Sequence, residues 1–167
     1  MQEQDIQELK TEFWKALDAS HIVMLAAITP NIPPARPMTA QTDEDITDGS
    51  IYFFASRGEG VGQDVLAGAS VASFTFQSKD NHLLASAIGP IAAVNDPAMI
   101  DKLWSPMAAT YYEQGRSDPN LLLLRFTPPE IEVWRSNATG MLKAVAYKLM
   151  GRDAGQAHQD DRATISV

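Results

Sequence analysis

Hydrophobic positions along this chain change their period several times, and each change marks an element. Between residues 4 and 19, Ile6, Leu9, Phe13, Trp14 and Leu17 recur at helical spacing with polar residues between them. This pattern predicts an opening amphipathic helix whose apolar face needs a sheet to cover. Ile22 to Ile28 is an apolar run of strand length, and Pro30, Pro33 and Pro34 break the chain before a second strand from Ala35 to Gln41. The acidic run Asp43 to Asp48, closed by Gly49, reads as a solvated turn.

A third strand is expected over 51–56, followed by the glycine-rich Arg57-Gly-Glu-Gly-Val-Gly62, a short helix ending near Gly68, and a strand from Val71 to Phe76. A longer strand runs from about Leu83 to Val94, with Gly89 and Pro90 marking a bulge or bend. Asp96 and Pro97 form a helix-start pair, and one or two short helices divided at Pro106 follow over 98–113. Strands are expected at Leu121 to Phe126 and Ile131 to Trp134, an amphipathic helix at 139–150, and a polar tail at 151–167. Regular βαβ crossovers are missing between the first strands, which favours a closed or split antiparallel barrel over a doubly wound sheet.

The bulk composition narrows the function more than the fold. The 167-residue length and 45% apolar content suit one compact domain, and a net charge of −8 argues against a broad nucleic-acid or anionic-membrane surface. With no cysteine, disulfides, thiolate metal sites and cysteine nucleophiles are excluded. The first residues resemble no signal peptide and no run reaches membrane-span length, so a cytoplasmic protein is expected. His21, His82 and His158 lack metal-ligand spacing and read as structural or exposed. Gly58, Gly60 and Gly62 lie outside any βαβ unit, which makes a dinucleotide fingerprint a weak reading.

An anion must therefore be held by a few well-placed donors. Arg36 precedes Thr39 by three residues and Arg57 follows Ser56, so neighbouring strands each offer a guanidinium with a hydroxyl. A single arginine is more often a surface ion-pair partner, and Thr39 and Ser56 serve equally well in strand-edge hydrogen bonds. Trp104 and Trp134 are either core residues or the lining of a cleft.

In their order along the chain, Arg36-Pro-Met-Thr, Phe54-Ala-Ser-Arg57, Leu103-Trp-Ser-Pro106, Leu121 to Arg125 and Glu132-Val-Trp134 resemble the pyridoxamine phosphate oxidase-like flavin-binding split barrels. The resemblance covers roughly residues 5–150 and is greatest to the general stress protein 26 branch. It implies an α+β fold that is mainly β, a six-stranded antiparallel split β-barrel over 1–150, and a homodimer with flavin mononucleotide (FMN) in clefts between the subunits. By position it implies that Arg36, Met38, Thr39, Gln41, Phe54, Ala55, Ser56 and Arg57 line the cofactor, with both arginines on its phosphate and Trp104 and Trp134 as further candidates. Family members usually carry a lysine shortly after the Ser-Arg pair, and 58–62 has none. The N-terminus of the following helix is then expected to share the phosphate.

The implied activity is that of a flavin-dependent oxidoreductase with no catalytic side chain, the cofactor carrying the redox chemistry. No Arg-x-His element for pyridoxamine phosphate is present, so vitamin B6 oxidation is not expected. A non-catalytic flavin-binding stress protein and an apo scaffold remain the alternatives, and relatives of this barrel also use deazaflavin or haem. Tyr111 and Tyr112, with the two tryptophans, are expected near the cleft and buried by a second copy.

Overall fold

The computed structural model describes residues 3–136 and 162–167. The opening helix α1 (Glu3–Ser20) buries Leu9, Phe13 and Leu17 completely. Their four-residue spacing stacks them on one stripe of the helix. Phe13 meets Phe74 and Phe76 edge-on at centroid distances of 6.5 and 6.0 Å, the arrangement that the ring quadrupole favours. The helix stops at His21, whose left-handed φ of 55° turns the chain directly into the first strand.

Six strands follow in the sequence β1 (Ile22–Ala27), β2 (Arg36–Thr39), β3 (Ile51–Ser56), β4 (Val71–Gln77), β5 (Leu83–Val94) and β6 (Leu121–Phe126). They pair antiparallel in the order β2-β1-β4-β5-β6-β3. Gln41, just past β2, exchanges both backbone hydrogen bonds with Tyr52 of β3, at 2.8 and 3.1 Å. That bridge nearly closes the sheet into the barrel expected from the sequence. Along β1 and β4 the inward positions Val23, Leu25, Ala27, Ala72, Phe74 and Phe76 alternate with outward ones, as the two-residue period of a strand requires.

In β3 and β6 there is no such alternation, because both faces of these strands are covered. Phe53, Leu124 and Phe126 join the barrel core, whereas Tyr52 and Leu123 pack with Leu103, Met99 and Ile100 of helix α3 (Pro97–Leu103). Asp96 caps α3 by accepting from the Met99 N–H at 3.0 Å, and Ser105 caps α4 (Pro106–Ala109) by accepting from the Ala108 N–H at 3.2 Å. Pro106 divides the two helices, in line with its position in the sequence.

Beyond the barrel path lie β7 (Glu130–Arg135) and β8 (Arg162–Ser166). β7 pairs with the first half of β5 and β8 pairs with β7, so β5 serves two neighbours along its length. Of the bulge or bend expected at Gly89 and Pro90, the bulge is absent: both residues keep an unbroken register with β4. A Cβ at Gly89 would lie 2.4 Å from the Pro128 Cα, so glycine there admits the turn that crosses β5.

β8 corrects the expected polar tail over its last residues. Arg162, Thr164 and Ser166 are exposed while Ala163 and Ile165 are buried, with Ile165 opposite Ile131. The helix expected at 139–150 and His158 lie outside the described residues. The acidic segment after β2 is also not simply solvated. Lys102 bridges Asp43, at 3.2 Å, and Asp45, while Asp48 accepts from Arg125 and from the Ser50 N–H. These ties pin the β2–β3 loop to α3 and β6. Among the described residues no helix is long and apolar enough to cross a membrane.

Candidate functional site

A cleft of about 710 Å³ opens where β2, the end of β3, helix α2 (Gly60–Leu66) and the α4 segment converge. β2 and its extension supply Arg36, Pro37, Met38, Thr39 and Gln41, and β3 supplies Phe54, Ala55 and Ser56. The α2 side adds Glu59, Gly60, Val61 and Gly62, and the far wall consists of Ser105, Pro106, Met107, Ala108, Tyr111 and Tyr112. The volume falls within the range of roughly 300–1,000 Å³ typical of small-molecule and cofactor sites.

Two glycines allow this convergence. A Cβ on Gly62 would stand 2.2 Å from the Ser56 carbonyl oxygen, so only glycine lets the first turn of α2 abut the end of β3. Gly60 has φ of +57°, and its Cα side faces Arg36 so closely that a Cβ would lie 3.2 Å from the Arg36 Cδ. The Arg36 side chain thus runs over the start of α2. Glu59 at the N-cap position makes no side-chain capping bond, which leaves the first-turn N–H groups uncapped by a side chain. Among the described residues, Arg36 has no ion-pair partner.

Arg57 departs from the expectation. Its backbone N–H donates to the Asn120 carbonyl at 3.0 Å and to Asn120 Oδ1 at 3.1 Å, and its exposed side chain is not part of the cleft lining. Arg36 is among the lining residues of the cleft and Arg57 is not. Trp104 is also not in the lining. It supports the wall from behind, edge-on to Phe54 at 5.5 Å and 6.2 Å from the Tyr112 ring, with the Arg116 guanidinium 5.9 Å above it. Trp134 sits away from the cleft on β7, with the Arg162 guanidinium 5.5 Å over its ring.

Tyr112 was expected to await cover from a second copy but is already buried within its own chain, whereas Tyr111 is 76% exposed. Burial pushes the Tyr112 hydroxyl up to about 12, Asp118 and Glu59 push in the same direction, and the Ser56 hydroxyl opposes them. Tyr112 is therefore a proton-bearing donor throughout the neutral range. His21 lines the cleft as well. Its role was not visible in the sequence because it comes from a left-handed turn between helix and strand. Among the described residues no cluster of three metal-ligating side chains exists.

An antiparallel α+β split barrel with a cleft between β2 and α2 is the class that this geometry defines. Residues 8–158 match the model of the family described as pyridoxamine 5'-phosphate oxidase like, and the chain belongs to that family. A general stress FMN/FAD binding protein from Xanthomonas citri is 38% identical, with 79% of this chain and 92% of that one covered at a TM-score of 0.71. A candidate general stress protein 26 from Jannaschia sp. CCS1 is 27% identical over 97% of this chain and 99% of that one, at a TM-score of 0.72. A protein from Clostridium acetobutylicum related to general stress protein 26 shares the fold at 16% identity, with 97% and 96% covered and a TM-score of 0.66. None of the curated proteins matches the chain.

Proposed function

We propose that the cleft binds flavin mononucleotide and that the protein acts as a flavin-dependent oxidoreductase in a stress-related role. One observation carries this reading: Arg36, without a carboxylate partner among the described residues, runs over Gly60 at the uncapped first turn of α2, inside a cofactor-sized cleft. A phosphate there receives charge-assisted hydrogen bonds from the guanidinium, with the Ser56 and Thr39 hydroxyls as neutral donors on the adjoining strands. Met38, Phe54, Ala55, Pro106 and Met107 give the rest of the cleft apolar surface suited to a flat ring system.

A bound flavin supplies hydride or electron transfer. The chain's own side chains orient it: Trp104 braces Phe54 and Tyr112 from behind, and the Tyr112 hydroxyl, which keeps its proton, offers a hydrogen bond but no base. The 38% identical relative described as an FMN/FAD binding protein supports the same reading. The proposal includes a second copy across the cleft mouth, where Met107 and Tyr111 are 61% and 76% exposed.

Titration with FMN, riboflavin and flavin adenine dinucleotide, followed by flavin fluorescence, tests the phosphate site. FMN is expected to bind more tightly than riboflavin, and equal affinities would remove the phosphate from the reading. Reduction of the bound flavin by a nicotinamide donor under anaerobic conditions distinguishes an oxidoreductase from a flavin carrier. Sedimentation at micromolar protein with FMN present reports the dimer, and a monomer would exclude a shared cleft.

A further inference from the structure

Among the described residues, Glu59 is the one carboxylate and Arg36 the one guanidinium in the cleft lining. Helix geometry does not account for its presence. Asp, Asn, Ser or Thr at an N-cap reaches back to the helix N–H groups, whereas the Glu59 side chain makes no such bond. It forms no ion pair with any described residue, Arg36 included. Glu59 shares the cleft lining with Tyr112, whose hydroxyl its charge helps, after burial and Asp118, to keep protonated.

Consider the charge that an entering phosphate meets. Arg36 contributes +1 and Glu59 −1, so these two lining side chains sum to zero. A phosphate monoester arrives with about −1.5 to −2. The guanidinium attracts it while the carboxylate in the same lining repels it.

We propose that Glu59 is a specificity-determining residue that holds down the cleft's affinity for phosphate monoesters, so that FMN is an exchangeable ligand of this protein and not a permanently held group. This inference rests on the flavin reading of the same cleft. It assigns Glu59 a part in discrimination between phosphorylated and unphosphorylated flavin, which a solvated surface carboxylate would not have. Removal of one unit charge, screened by the solvent at the cleft mouth, corresponds to a tightening of about three- to tenfold.

The test compares the wild type, Glu59→Gln and Glu59→Lys, each titrated with FMN and with riboflavin at low and at high salt. FMN affinity should rise in Glu59→Gln and rise further in Glu59→Lys, riboflavin affinity should stay unchanged, and the FMN gain should shrink at high salt. An unchanged ratio of FMN to riboflavin affinity in both variants overturns the proposal. So does an equal change for the two ligands together with a lowered thermal midpoint, which would mean that Glu59 only supports the helix. Arg36→Ala separates the two levels. If it abolishes the wild type's preference for FMN while the Glu59 variants alter nothing, only the role of Glu59 falls. If the wild type and both Glu59 variants show no preference for FMN, the flavin reading falls and takes this inference with it.

Discussion

Charges are handled differently in the two seams that flank β2. In the loop that follows it, Asp43, Asp45 and Asp48 are matched by Lys102 and Arg125, and these pairs join the loop to α3 and β6. On the cleft side Arg36 and Glu59 face the same hollow, and neither has a partner among the described residues. The first seam uses charge to hold elements in register, and each ion there stabilises only weakly because water competes for it. The second leaves charge available to a ligand, where a phosphate gains bonds to donors already in position. The same contrast separates the two arginines first noticed in the sequence. Arg36 lines the cleft, and Arg57 does not.

The contrast can be broken most severely at Gly62. A Cβ there collides with the Ser56 carbonyl at 2.2 Å, which is backbone and cannot rotate away. Gly62→Ala should lose about 3 kcal/mol of stability in a denaturant titration, and an unchanged midpoint would show that α2 need not abut β3. Next in size is Arg36→Ala, expected to weaken FMN binding about thirtyfold, or roughly 2 kcal/mol, while riboflavin loses little. Arg57→Ala sharpens the comparison from the other side. It should change FMN affinity by less than about twofold, since its side chain is not part of the cleft lining, and a loss equal to that of Arg36→Ala would place both guanidiniums on the phosphate after all.

The paired seam gives the smallest effect, read against pH. The Ser50 N–H bond and the Arg125 guanidinium hold Asp48 below the usual carboxylate range, and the Asp45 N–H and Lys102 do the same for Asp43. A depressed folded-state value contributes stability that is complete above the unfolded value of about 4 and is lost as pH falls through the folded one. Asp48→Asn should therefore cost a small amount of stability at neutral pH and flatten the acid limb below about pH 4, so that the two curves converge in acid. A curve identical to that of the wild type would mean that the pair is solvent-screened to insignificance.

Most of the barrel was legible in the chain because local patterns specify local structure. The stripe of Leu9, Phe13 and Leu17, the alternation Ala72, Phe74, Phe76 and the Asp96-Pro97 start each act within a few residues. β8 was obscured, although Ala163 and Ile165 alternate with polar neighbours, because a short strand at a terminus has the composition of a tail until it finds Ile131 opposite. The site was legible in part. Arg36, Met38, Thr39, Gln41, Phe54, Ala55 and Ser56 line one cleft, whereas Arg57, Trp104 and Trp134 do not. Adjacency to Ser56 suggested a shared role for Arg57, but successive residues leaving a strand need not face the same way, and Arg57 is not among the lining residues.

The chain by itself determined the strand and helix content, the absence of thiol chemistry, and the presence of two arginines beside hydroxyls. Period, propensity and composition are short-range or additive properties, so they can be read one window at a time. Only the tertiary structure decided which arginine lines the cleft, that Tyr112 is buried while Tyr111 is open, and that Glu59 shares the lining with Arg36. Those outcomes depend on the approach of segments far apart in sequence, on a glycine whose missing Cβ would stand 2.2 Å from a carbonyl oxygen, and on burial that no single window of residues contains.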